Sequence, residues 1–484
     1  MPHVDIPQSH CKGAIARRDI TPPVGMYHRM WGAATHDRST GIHRPLLATA
    51  LALQSSHKSA GHGTLQVLVS LDHCLLWTEE MEALRSAVCR SAWIAPESLH
   101  ITFSHTHAAG LLDPARADLP GGDLIASYLE LVVQRVASAA REAIDALRPV
   151  WIVYGLGTCD LAAHRDFWDA ENRLFVCGFD PSGVADDTVL VARITDERSK
   201  CVATVVNYAC HPTTLAWDNT LVSPDYVGAL RETVEAATGA PCLFLQGASG
   251  ELGPRHGYVG DMSVADRNGR QLAYAALAAL EPLPAPGVRY EYTGPVVSGA
   301  TIGTWAYAPL SKEELHGQSS WRCEHFTVDL PYRADLPTRD ATEAERARWQ
   351  AAEESANRAG DREQARDCRA QIERMNRQLA RLRSLPEGTS VPLSVSLWQL
   401  GGALWLMLEA EHYSLLQRAL RERFPDYPIV VVTMTNGWRP GYVPTAETYG
   451  KGIYQESIAV VAPGSLEQLI EQIGTRIAEW QAAG

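Results

Sequence analysis

The stretch at 65–72, LQVLVSLD, is the most restrictive in the chain. It is nearly all apolar, so as a strand it has to be covered on both faces, which a sheet with one wet side does not provide. Thr78 can cap a helix over 79–90, and 99–107 (LHITFSHTH) reads as the next strand, giving an early strand, helix, strand order. Further strands are expected at 202–209, 242–246, 403–408 and 429–434, and an amphipathic helix over 123–147 with Ile125, Leu129, Val132 and Val136 on one face. The expected class is therefore α/β: mixed β-sheets layered with flanking helices. From 340 to 385 the composition shifts to Ala, Glu, Arg and Gln, and Gly360 with Asp361 divides the segment into two helices. This helical hairpin is expected as an insertion within a single domain spanning 1–484, its interleaved arginines and acids forming a solvated face.

A formal net charge of −13, with no lysine- or arginine-rich run, argues against nucleic acid and anionic membrane surfaces as partners. The 10 cysteines lie singly, without a Cys-x-x-Cys pair, and read as reduced residues of the core. Nothing approaches the ~20 uninterrupted apolar residues of a membrane span, and the start lacks a basic region followed by an apolar stretch. These features lead to the expectation of a cytoplasmic protein with no stable membrane association.

Four separated stretches carry the side chains that metal-assisted hydrolysis requires. The first is Ser-His-Thr-His at 104–107, where strand alternation would put Ile101, Phe103, His105 and His107 on one face. The second is Asn207 to His211 followed by Pro212, the third is Glu409, Glu411 and His412 after the apolar run ALWLML, and the fourth is Gly441, Tyr442, Val443, Pro444 with Tyr449 and Tyr454 beyond. Each has an ordinary reading as well. His211 also fits a strand cap, Tyr442 also fits a packed aromatic, and Glu409 or His412 competes with Glu411. Asp72 and Asp225 fit both as carboxylates orienting ligand imidazoles and as plain strand-end or first-turn residues.

Taken in order, the motifs resemble the catalytic domain of the neutral/alkaline, non-lysosomal ceramidase family over about 13–462. The shared series is Asp-Ile-Thr-Pro-Pro near the start, Ser-His-Thr-His, Asn-x-x-x-His-Pro-Thr, a Gln-Gly-x-x-Gly-acid-x-x-Pro loop, a Glu after a strand, and Tyr-Val-x-Thr with later tyrosines. The resemblance implies Zn2+ held by His105, His211, Glu411 and Tyr442, a ligand set whose softness suits zinc. It also implies that His107 and Tyr442 stabilise an oxyanion and that Arg165 and Tyr454 contact substrate. His107 and Glu251 are both candidates for proton transfer to the leaving nitrogen.

Two departures bear on the reaction. Gly253 stands where the family carries an active-site serine, which favours attack by metal-activated water over a serine-dependent step. The secreted ceramidases also begin with a signal peptide and continue past the region matching Val461 into an immunoglobulin-like domain, neither of which is expected here. The expectation is a zinc-dependent hydrolase of linear amide (N-acyl) bonds, acting on a soluble small molecule rather than membrane ceramide. An esterase or another metal-dependent hydrolase, and a zinc-stabilised binding protein without catalysis, are the alternatives; self-association into a homo-oligomer is left open.

Overall fold

The computed structural model describes residues 2–56 and 64–482. Two β-sheets lie face to face at its centre. The larger contains β1 (Gln8–Asp19), β2 (Leu47–Gln54), β3 (Leu65–Leu71), β4 (Leu99–Phe103), β5 (Arg148–Thr158), β6 (Thr188–Asp196), β7 (Cys201–Tyr208) and β8 (Cys242–Gln246). Its order is β8-β7-β6-β5-β1-β2-β3-β4, with parallel pairing only at the two ends, β7 with β8 and β3 with β4. A parallel pair needs a crossover, and helices supply it: α1 (Thr78–Ala92) joins β3 to β4, and α3 (Tyr226–Thr238) joins β7 to β8. The second sheet is β9 (Trp321–Pro331), β10 (Ser390–Leu400), β11 (Ala403–Leu408) and β12 (Ile429–Val432), in that order.

Side-chain size along β2 shows how the layers form. Ala48, Ala50 and Ala52 turn toward α1 and α2 (Ile125–Asp145), where small residues let the helices approach, while Leu51 and Leu53 turn toward the second sheet. There Leu51, Leu68, Ile152 and Leu245 meet Trp398, Trp405, Met407 and Val430 in one apolar layer. Helices α3 and α4 (Met262–Leu280) cover the rest of the larger sheet's outer face, and the helix Ser465–Ala482 covers the smaller sheet. The chain thus adopts the expected mixed sheets layered with flanking helices. The segment at 340–385 forms two antiparallel helices, α5 (Arg339–Ala359) and α6 (Arg362–Ser384), with Gly360 in the left-handed region between them.

Polar side chains tie the layers together at the end that carries the site. The Ser70 hydroxyl in β3 donates to the Phe244 carbonyl in β8 at 3.0 Å, so the two margins of the eight-stranded sheet approach each other. Asn207 in β7 donates to both Leu245 O (3.0 Å) in β8 and Val431 O (2.8 Å) in β12. Strand ends far apart in sequence therefore open onto one place. No helix among the described residues is long and apolar enough to cross a membrane.

Between 282 and 339 lies structure for which the residue pattern sets no expectation. The strands Val288–Ser298 and Ala300–Pro309 form a long, largely exposed hairpin turning at Gly299. Gly294 and Pro295 interrupt its alternation, which hides the strand period.

Candidate metal centre

Three of the expected ligands follow the carboxyl ends of strands, where α/β sheets habitually present their binding groups. Two residues beyond β4, His105 sits at φ +68°, a left-handed backbone uncommon for a side-chain-bearing residue. Its amide donates to His73 O at 2.9 Å. This turn corrects the alternation expected through 107: β4 stops at Phe103, and the His105 and His107 rings stand perpendicular, 4.9 Å apart, instead of lining one strand face. His211 follows β7, and Glu411 follows β11 after Ala410, itself at φ +70°. The Ala410 turn separates Glu411 from Glu409, whose carboxylate accepts from the Ser394 amide at 3.3 Å. Glu411 then pairs in parallel register with Tyr442, bringing that phenol alongside.

His105 and His211 each direct Nδ1 at a backbone carbonyl, Cys74 O and Ser249 O respectively, both at 2.8 Å. With the proton held on Nδ1, each Nε2 offers its lone pair to the cluster, the arrangement by which outer hydrogen bonds orient ligand imidazoles. The two Nε2 atoms lie 3.4 and 2.9 Å from Glu411 Oε2, and all three residues are buried. Three acceptors within 4.8 Å of one another, shielded from water, fit a cation. Trp438 adds an indole N–H donated to the other Glu411 oxygen. The Tyr442 hydroxyl is 3.2 Å from His211 Nε2, and Arg165 donates to that hydroxyl at 3.0 Å and to Gly250 O at 2.5 Å.

The Glu411 carboxylate favours positive charge beside it, whereas burial and Arg165 oppose it on His211. Burial disfavours an ionised Glu411, yet the His105 and His211 rings hold its pKa well below the usual carboxylate range. Burial also opposes charge on His105, but Cys74 and Glu411 raise its pKa well above the ordinary value. Burial and the Arg165 guanidinium lower His211 to about 4. These residues fit a divalent ion in burial, donor type and charge.

The other expected residues fall into two groups. His107 lies against the cluster, its Nε2 3.5 Å from that of His105 and its ring 5.3 Å from Trp31. Burial and the two neighbouring histidines hold its pKa well below the ordinary value. Arg165 reaches Tyr442, as described, and Tyr454 packs edge-on at 6.0 Å from the Tyr442 ring. A Cβ at Gly253 would meet Thr213, Tyr258 and Arg165 at 3.7 to 3.9 Å, ordinary contact distances. Glu251 is engaged elsewhere: both carboxylate oxygens accept from the Ser414 amide, at 2.8 and 2.9 Å, and one also from its hydroxyl. Asp72 and Asp225 take their ordinary roles. Asp72 receives both terminal nitrogens of Arg231, and Asp225 accepts from the Leu215 and Tyr226 amides, so backbone carbonyls, not these carboxylates, hold the ligand rings.

Glu251 carries a stability consequence. Burial pushes its pKa up to about 7, so the folded protein holds that proton more tightly than the unfolded chain does. Stability therefore falls as pH rises from the ordinary carboxylate value to about 7 and is level above, an effect on the order of 3 kcal/mol. Glu409, also raised to about 7 by burial, acts in the same direction. Glu251→Gln is expected to shrink the drop in melting temperature between about pH 5 and about pH 8 without abolishing it. Parallel melting curves for variant and wild type across that interval would contradict the assignment.

Beside the cluster opens a cleft of about 420 Å³, lined by His107, Arg165 and Tyr442 together with Trp31, Trp217 and Tyr258. The three last form edge-on aromatic contacts centred on Trp31. Neither this wall nor Trp438 was singled out by sequence reasoning, because a lone tryptophan in a loop has no period or spacing to mark it. Helix α6 borders the same cleft with Arg374, Arg377 and Arg381; the hairpin has the expected solvated face, with Arg348, Arg358 and Arg366 exposed, and Arg381 is the arginine that departs from it by being buried.

No family model and no curated protein matches the chain. Among solved structures, the neutral ceramidase from Pseudomonas aeruginosa aligns over 97% of this chain and 74% of its own, with a TM-score of 0.60 at 14% sequence identity. A ceramidase complexed with C2 aligns over the same shares, with a TM-score of 0.61 at 15% identity. The family resemblance carried by a handful of short motifs is thus matched in three dimensions, and the chain has a neutral ceramidase-like fold along nearly its whole length.

Proposed function

We propose that this chain is a zinc-dependent hydrolase that cleaves a linear amide bond in a small molecule. The observation that carries this reading is the buried meeting of His105, His211 and Glu411 beside a cleft bordered by His107 and Tyr442. His105, His211 and Glu411, with Tyr442, would hold the zinc ion, which would supply Lewis acidity toward the carbonyl and toward water, whose pKa falls from ~15.7 to ~7 on such an ion. The remaining work falls to side chains. Tyr442, its hydroxyl oriented by Arg165 at 3.0 Å, and His107 donate hydrogen bonds to the oxygen that gains charge as the carbonyl becomes tetrahedral. His107, neutral at rest, would take the proton released as water adds to the carbonyl and pass it to the leaving nitrogen as the carbon–nitrogen bond breaks, since both Glu251 oxygens are occupied by Ser414. Arg165 and Tyr454 border the substrate, and Gly253 leaves room where a serine nucleophile would stand. The cleft of about 420 Å³ is in the size range that takes a small molecule.

The test is a panel of N-acyl amides and matched esters, assayed with and without a chelator and after zinc is restored. Amide turnover that disappears with the metal and returns with it is expected; ester turnover alone would reassign the protein as an esterase, and zinc binding without turnover as a binding protein. Tyr442→Phe is expected to lower kcat roughly 100-fold with little change in KM, the loss of one transition-state donor. A KM effect with intact kcat would move Tyr442 from the chemistry to ground-state binding.

A further inference from the structure

Of the residues lining the cleft, Arg165, Arg374, Arg377 and Arg381 are basic, and Glu373 alone is acidic. Glu373 is already shared, accepting two bonds from Arg116 and one from Arg377 at 2.8 Å. Arg377 also donates to the Met30 carbonyl. Arg381 differs from its neighbours. It is 6% exposed, and among the described residues no carboxylate lies within ion-pairing distance of it. The groups that chiefly act on its charge are Tyr454, Arg377, Arg374 and Tyr442, and burial lowers its pKa to about 10. Its guanidinium carbon stands 5.8 Å from the centre of the Trp438 ring, whose N–H is donated to Glu411. One indole therefore separates Arg381 from a candidate metal ligand. Arg165 is 3% exposed, and its Nε has no partner.

An enclosed guanidinium with no counter-charge is unfavourable, and a site that keeps one is built for a ligand that brings the counter-charge with it. A planar guanidinium matches a carboxylate in shape as well as in charge. We propose that the amide cleaved here carries a carboxylate that binds Arg381, with its apolar part against Trp31, Trp217 and Tyr258, as in an N-acyl amino acid. This rests on the hydrolase reading and narrows it. A neutral amino-alcohol amide such as a ceramide leaves Arg381 without a counter-charge.

The test compares three amides of matched length: an N-acylglycine, with the carboxylate on the amine side; an N-alkylsuccinamate, with it on the acyl side; and a neutral N-acylethanolamine. Wild type is expected to prefer one of the anionic amides over the neutral one. In Arg381→Met that preference, as a ratio of kcat/KM values, is expected to fall about 10- to 100-fold, mainly through KM, with Arg381→Lys intermediate. Thermal shift gives a reading independent of turnover: the anionic amides raise the melting temperature of zinc-loaded wild type and not that of Arg381→Met. Equal use of neutral and anionic amides by wild type, or a preference unchanged in Arg381→Met, overturns the proposal and leaves the hydrolase reading standing. Absence of any amide turnover counts against the hydrolase reading, and the thermal shifts alone then decide whether Arg381 binds a carboxylate.

Discussion

His105→Ala is expected to lose bound zinc and amide turnover together, whereas His107→Ala keeps the metal and loses roughly 10²- to 10³-fold in kcat. The difference follows from where each imidazole points. His105 is locked by its Nδ1 bond to Cys74 O, with Nε2 turned toward Glu411, so its removal takes away a metal donor. His107 stands on the cleft side of that cluster against Trp31, where the proposed reaction would place substrate. Metal content by elemental analysis, alongside turnover, separates the two. Wild-type zinc and wild-type rate in His105→Ala would dismiss the proposed centre.

Arg231→Met is expected to lower the free energy of unfolding by roughly 3 to 5 kcal/mol, because it strands Asp72 as an uncompensated buried charge. The two side chains meet through paired bonds of 2.8 and 2.6 Å, and Asp72 also accepts from the Leu47 amide at 2.9 Å. The pair therefore clamps α3 to the ends of β2 and β3. The double variant Asp72→Leu with Arg231→Met is expected to recover much of the loss, since no charge is then left behind. Urea unfolding measures both. Zinc bound per folded molecule should be unaffected, as Asp72 touches no candidate ligand; zinc lost in proportion to unpaired Asp72 would restore the carboxylate as an orienting group.

The sequence disclosed most where local chemistry repeats or stops sharply. The doubly covered strand at 65–71 and the two helices divided at Gly360 both follow from runs of a few residues. The layered class followed from these same elements. What escaped is long-range or aperiodic. His105 and Ala410 adopt left-handed backbone where no glycine signals it, so neither the perpendicular setting of His105 and His107 nor the separation of Glu409 from Glu411 could be read from a two-residue period. The register that seats Tyr442 beside Glu411 joins segments about 30 positions apart. Arg381 escaped for a related reason: the interleaved charges of α6 fit the solvated face that most of its arginines occupy, and only packing reveals that Arg381 is buried without a carboxylate partner.

The convergence of ligands also has a mechanical side. His105 and His211 hang from the larger sheet, while Glu411 and Tyr442 follow from the smaller, so an ion gripped by all four acts as a rivet through the two plates of the sandwich. Each tenfold rise in the free concentration of such an ion above its dissociation constant would then add about 1.4 kcal/mol to the cohesion of the whole molecule. Stripping the metal would loosen that seam at the same end where the cleft opens.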